Sequence, residues 1–282
     1  MRWQTTRFDL DLTRPRVMGI VNLTPDSFSD GGRLACLDDA LAHAQQLVEE
    51  GADILDVGGE STRPGSAEVS AEEEWQRLAP FLQEVLRWQV PVSVDTRRTA
   101  VMVRALDLGV DIINDIHALQ DEGAVLTLAS HSRAGICLMH MHGEPGTMQQ
   151  APLPADAHDS VPAFLQQRAD VLRKHGIEAS RIVLDPGIGF GKSVPLNFEL
   201  LARTAELCRL GYPVLAGWSR KSSLAAVTAR QGVVPGPEQR LMASVTAAVL
   251  SVDRGARVVR VHDVRETVEA LLVWQAMAQG AT

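Results

Sequence analysis

Three cysteines, Cys36, Cys137 and Cys208, are all that the 282 residues hold. They are odd in number, far apart and form no CxxC, which argues against a disulfide framework or a thiolate zinc site. They read as small buried hydrophobes in a reducing cytosol. A basic excess is also missing. Net charge is −8, so a dedicated nucleic-acid binder is not expected, and any anionic ligand must meet a local basic cluster rather than a global field. No run approaches the roughly 18 apolar residues of a membrane helix; the longest candidate, Leu241–Val252, is interrupted by Ser and Thr. The opening MRWQTTRFDLDLTRPR has no leader-like apolar core, so a cytoplasmic location without membrane or nucleic-acid partners is expected. A 45% hydrophobic and 22% charged composition removes disordered and collagen-like classes.

What is present is an alternation. Short Val/Ile/Leu runs at Arg16–Asn22, Asp53–Val57, Val92–Asp95, Asp111–Asn114, Gly135–Met141, Arg181–Asp185, Pro213–Gly217 and Arg257–His262 are near-continuous, as for strands buried on both faces. Amphipathic stretches separate them. Leu37–Glu50 places Leu37, Ala40, Leu41, Ala44, Leu47 and Val48 on one helical face. Ser70–Trp88 opens on a Ser70/Glu73 capping box. Eight βα units without a linker or composition break predict an α/β fold, a single (β/α)8 TIM barrel over residues 1–282. An open doubly wound sheet would want GxGxxG after its first strand, where Asn22-Leu23-Thr24-Pro25 stands instead.

Barrel sites form at the C-terminal strand ends. Those ends read Asn22, Asp56 with GGESTRPG, Asp95, Asn114, Met139-His140, Asp185, Ser219-Arg220-Lys221, and Arg260 with His262. One Asp alone would more simply cap the next helix. Lys, Arg and His converging with them favour a site. The long segments Thr24–Leu34 and Gly58–Ser70 are expected to be mobile covers. Asp185–Ser193 ends in GKS, but Pro186 occupies the first glycine position of a nucleotide-binding P-loop, so ATP is not predicted. His117, His131, His142, His158 and His175 lack zinc spacing and read as surface or loop residues.

Asp95, Asn114 and Asp185 suit an amidine-like ring edge such as that of a pterin or guanine. The competing reading has these carboxylates salt-bridged to nearby Lys and Arg. Lys221, Arg260 and His262, with Arg63 and Arg220 adding charge, form the expected anion seat. Asn22 with Asp56 is a candidate for Mg²⁺, which often needs few protein ligands.

Here the motifs themselves become informative. GIVNLTPDSFSDGG, DVGGESTRPG, SVDT, IND, LMHMHG, DPGIGFGKS, GWSRKS and RVHDV run from residue 19 to 264. Together they resemble the dihydropteroate synthase family. The resemblance implies a barrel, a homodimer, Mg²⁺, and transfer of a 6-hydroxymethyl-dihydropterin from its diphosphate to 4-aminobenzoate. It implies that Asp95, Asn114, Asp185 and Lys221 hold the pterin, that Asn22 reaches the metal, and that Arg63, Arg260 and His262 hold the diphosphate. Arg260 would also lie against the pterin face. Thr62, Pro64, Phe28, Phe190, Ser219 and Lys221 would shape the aminobenzoate site, and Met139 is counted with the substrate-binding set. Asp95, Lys221, Arg260 and His262 are the expected catalytic residues. Trp218 stands where a small or aliphatic residue is common, and is expected either to narrow the mouth or to pack outside the barrel. A pterin-binding methyltransferase would not need the TPDSFSDGG loop or the SRK triplet, and a non-catalytic pterin-binding barrel would not need the intact charged set.

Overall fold

A computed structural model describes residues 1–24, 33–61 and 68–280, with only the backbone considered for 33–36. Among the described residues ten strands are formed: β1 (Arg2–Gln4), β2 (Asp9–Asp11), β3 (Arg16–Asn22), β4 (Ile54–Gly58), β5 (Val92–Asp95), β6 (Ile112–Asp115), β7 (Gly135–Met139), β8 (Ile182–Asp185), β9 (Leu215–Ala216) and β10 (Val258–Val261). The helices are α1 (Arg33–Glu49), α2 (Ala71–Val85), α3 (Thr99–Leu108), α4 (Ala124–Ser130), α5 (Ser160–Lys174), α6 (Val194–Ala202), α7 (Thr204–Cys208), α8 (Ser222–Thr228), α9 (Leu241–Asp253) and α10 (Val264–Gly280).

Strands β3 to β10 form one parallel sheet in the order β8-β7-β6-β5-β4-β3-β10-β9. A single parallel bridge, Leu184 to Val214, joins its two ends, with Leu184 N–H donating to Pro213 O at 2.9 Å. The result is the expected eight-stranded βα barrel, nearly closed. Strand parity sorts its side chains. Outward residues such as Val17, Leu55, Val57, Val94, Ile113, Leu138, Leu184 and Val259 join the large core beneath the helices. Inward Met18, Ile54, Ile112, Cys137, Val183, Leu215 and Val258 form a separate buried floor. Two residues further along, the inward positions become Ile20, Asp56, Asn114, Met139, Asp185, Gly217 and Arg260.

The floor is plugged from below by the antiparallel β1–β2 hairpin, which the periodicity does not predict. Trp3 and Leu12 bury fully against it, and Trp3 Nε1 donates to Arg181 O at 3.0 Å. Expected strand Pro213–Gly217 shrinks to Leu215–Ala216. Proline cannot donate to a ladder, and Gly217 stands beside the Asp185 carboxylate. Expected strand Gly135–Met141 ends at Met139, where the chain enters the loop. At α2, Ser70 Oγ accepts from Glu73 N at 3.1 Å; the Glu73 carboxylate turns to Arg77 instead of closing the box.

Candidate active site

The C-terminal strand ends surround one cleft of about 360 Å³. Its lining includes Asn22, Asp95, Asn114, Met139, Asp185, Phe190, Ser219, Lys221, Arg260 and His262. Ten predicted site residues, carried on seven of the eight barrel units, are thus brought together. Phe28, Thr62, Arg63 and Pro64, and most of the two expected loop covers, lie outside the described residues.

Arg260 is the centre of the ring. Its Nε donates to Asp56 Oδ2 at 2.6 Å and its Nη2 to Asp95 Oδ2 at 2.8 Å. Burial opposes its charge, but Asp56 and Asp95 hold its pKa above the ordinary value. Burial drives the Asp95 carboxyl up to about 7 against the pull of Arg260, with Asp56 adding repulsion. The salt-bridged reading of the acidic ring therefore holds for Asp95. Asp56 is fully buried and also receives Asn114 Nδ2, at 3.3 Å to Oδ2. This corrects the expectation that Asp56 helps Asn22 hold a metal: both its oxygens face Arg260 and Asn114. Asp56 also fixes the Asn114 amide, because a carboxylate only accepts and must face the NH2 end.

Asp185 accepts from Gly187 N at 2.7 Å, and burial raises its pKa against that bond and Lys221. Gly187 has φ +67°, and a side chain there would collide with the His140 carbonyl oxygen, so the turn after β8 requires glycine. Phe190, on the same turn, lies under Lys221, whose Nζ is 4.0 Å from the ring centroid. Burial and the neighbouring Arg260 push the Lys221 ammonium down to about 8. Ser219 Oγ lies 2.9 Å from His262 Nδ1 and accepts from His262 N at 3.1 Å.

Other expectations are corrected. Arg220 is not spare charge for an anion: its Nη1 pairs with Glu238 at 2.6 Å and its Nη2 with Asp263 at 2.7 Å. A second lysine lies just outside the cleft lining. Lys192 lies buried behind the DPGIGFGKS turn, where its charge is felt at Asp185. In the sequence the GKS lysine carries no signal beyond the failed P-loop match. Trp218 is 2% exposed and packs against Phe198, ring centroids 5.2 Å apart; it does not narrow the mouth. The five noted histidines are half-buried or exposed, and among the described residues no three His, Cys, Asp or Glu gather as a metal set. Cys137 is buried as expected, Cys208 only partly.

With this geometry in place, the relatives become informative. A family model described as pterin binding enzyme matches residues 18–262. The dihydropteroate synthase of Neisseria meningitidis serogroup B is 52% identical over 280 residues, spanning 98% of this chain and 97% of its own. Xanthomonas albilineans dihydropteroate synthase, solved with 4-aminobenzoic acid, superposes with a TM-score of 0.90 at 47% identity over 98% of both chains. Burkholderia cenocepacia dihydropteroate synthase complexed with 7,8-dihydropteroate gives a TM-score of 0.88 at 44% identity, over 99% of this chain and 97% of that one.

Proposed function

Because the chain belongs to the pterin-binding enzymes and, among them, to the dihydropteroate synthases, we propose that its cleft joins 6-hydroxymethyl-7,8-dihydropterin diphosphate to 4-aminobenzoate. The C–O bond to diphosphate breaks, a C–N bond to the arylamine forms, and pyrophosphate and 7,8-dihydropteroate leave. One observation carries this reading: hydrogen-bond acceptors and cations line the same small cleft.

Asp95, Asp185 and the amide oxygen of Asn114, whose NH2 end is turned toward Asp56, accept from the N–H-rich edge of the pterin. Lys221 donates to a ring acceptor, and Met139 packs against the ring. Arg260 and His262 receive the diphosphate, joined by Arg63; Arg260, fixed edge-on by its two carboxylates, lies against the pterin face. Phe190 and Ser219 line the arylamine side, to which Phe28, Thr62 and Pro64 would be added.

None of the described cleft residues is placed as a covalent nucleophile, so the transfer proceeds by departure of pyrophosphate first. Positive charge on the methylene spreads into the pterin, where Asp95 and Asp185 favour it, while Arg260 and His262 neutralise the leaving group. The arylamine nitrogen then attacks and releases its proton to the departing pyrophosphate or water. Loop cover over the cleft would keep water from trapping the cation.

Mg²⁺ fits this site in a limited way. Asp56 is committed elsewhere, but Asn22 offers a hard oxygen at the rim, beside Gly58, where a side chain would begin 4.0 Å from Asn22 Oδ1. One such donor suits a cation that takes its other ligands from water and diphosphate. When bound, Mg²⁺ would supply charge neutralisation of the leaving group.

Residues 1–282 act as one domain in this reading, in the cytoplasm, with no membrane or nucleic-acid partner. No helix among the described residues is long and apolar enough to cross a membrane. A homodimer is proposed across α9 and α10, which pack on each other and expose Met242, Leu250, Leu272, Val273 and Met277. Light scattering giving the mass of one chain would reject that part.

The reaction is tested by following pyrophosphate release with and without 4-aminobenzoate, and by mass spectrometry of the product. Release that depends on the arylamine, with 7,8-dihydropteroate formed, is expected. A pterin-dependent signal with no coupled product would overturn the reading.

A further inference from the structure

Lys192 is 3% exposed and does not line the cleft. Its Nζ donates to three main-chain carbonyls: His140 O at 3.0 Å, Gly187 O at 2.8 Å and Phe190 O at 3.0 Å. Burial pushes the ammonium down to about 7. Three carbonyls nevertheless need three N–H donors, and only the protonated amine has three.

Each carbonyl belongs to a piece of the site. Gly187 holds Asp185 through its N–H. Phe190 is the ring under Lys221. His140 follows Met139 of the cleft lining, and its N–H donates to Asp185 O at 3.0 Å. A second brace grips the same turn from the far side. Asn197 of α6, fully buried, accepts from Gly189 N at 2.8 Å and donates to Lys192 O at 3.3 Å and Ser223 Oγ at 2.9 Å. The turn is thereby tied to the N-terminus of α8, next to Lys221.

We propose that Lys192 is a positioning residue for the transfer reaction, acting on Asp185 and Phe190 through their backbone and placing a fixed positive charge behind the Asp185 carboxylate. The inference rests on the reaction proposed above. A plain loop brace would lower stability when removed and do nothing else. A positioning charge must also change how Asp185 titrates. The other charges facing this pocket are Lys221 from the chain before α8, Arg260 from β10, and the ring of His140 after β7, which burial keeps neutral with a pKa near 3. The substitution below leaves Lys221 and Arg260 in place; it removes the smaller push that Lys192 adds to burial at His140, whose ring stays buried. Removing one of the cations around Asp185 raises its pKa, so the ionised form that accepts from the pterin disappears at a higher pH.

The test is Lys192→Met, of similar length and without charge. Circular dichroism and thermal melting first establish that it folds. If it does not, Lys192→Gln, which keeps an N–H donor but no charge, is used in the same measurements. Two readouts follow: the dissociation constant for pterin diphosphate against pH by calorimetry, and steady-state constants for both substrates. The expected result is pterin binding weaker by on the order of tenfold to a hundredfold at neutral pH. The acid limb of that binding should move upward by roughly one pH unit. A folded variant with a lower melting temperature but the wild-type acid limb and pterin affinity would overturn the proposal. Failure of the wild-type chain to form dihydropteroate would instead strike the reaction, because pterin affinity against pH is read without turnover.

Discussion

Ile54 and Asp56 point into the same barrel from the same strand, two residues apart, and have opposite tasks. Ile54 belongs to the dry floor sealed by Trp3 and Leu12. Asp56 belongs to a charged ring in which Arg260 is shared with Asp95. The same step from apolar to polar recurs at Ile112 and Asn114, Val183 and Asp185, and Val258 and Arg260. Stability and chemistry are thus separated along the strand axis. The floor stays closed whatever the mouth does, and the mouth can hold costly buried charge because the floor secures the strands beneath it.

The hardest challenge to this separation is Arg260→Ala. It leaves the Asp56 and Asp95 carboxylates facing each other without a cation, a loss of the order of 3–5 kcal/mol for a broken buried pair. A mouth residue is then expected to lower stability in a denaturant titration as well as to abolish use of the diphosphate substrate, with free pterin binding hurt less. An unchanged unfolding midpoint would show that Arg260 serves chemistry alone.

Trp3→Ala tests the other end. It opens the plug, and large aromatic truncations cost roughly 3–5 kcal/mol. If the separation holds, the folded fraction keeps wild-type KM values, and altered pterin affinity would mean that floor and mouth are coupled. Asp185→Asn sharpens the comparison from above. It turns a donor toward donors, and pterin binding should weaken by at least ~10²-fold. Calorimetry is the measurement, and melting should show little loss, because a buried carboxyl with a raised pKa is itself a burden on the fold.

The smallest expected effect is on pH. Asp95 is raised to about 7 and must be ionised to accept, so kcat/KM should fall as pH drops below that value. Lys221 is lowered to about 8 and must be protonated to donate, so kcat/KM should fall again above it. A profile flat from pH 6 to 9 would remove both groups from the rate-determining charge set.

Much of this plan is legible in the chain. The barrel strands stand out because strands buried on both faces leave unbroken apolar runs, and the site residues stand out because they follow those runs. What escapes is whatever depends on distant partners or short elements. The plugging hairpin has strands of three residues with charged ends, too short for any period. Arg220 resembles free charge until Glu238 and Asp263 fold onto it. Lys192 sits in a motif whose phosphate-loop reading fails, and only the folded turn shows its three carbonyl partners.

The lone Leu184–Val214 bridge has its own consequence. Every other neighbouring pair of barrel strands shares a ladder of at least two residue pairs, so thermal fraying should begin at this seam. Asp185 stands directly above one lip of it, and Gly217 and Lys221 continue from the other. Parting the seam would pull the two halves of the binding cradle apart while the remaining staves stay zipped. The enzyme would therefore fall silent some degrees before it melts.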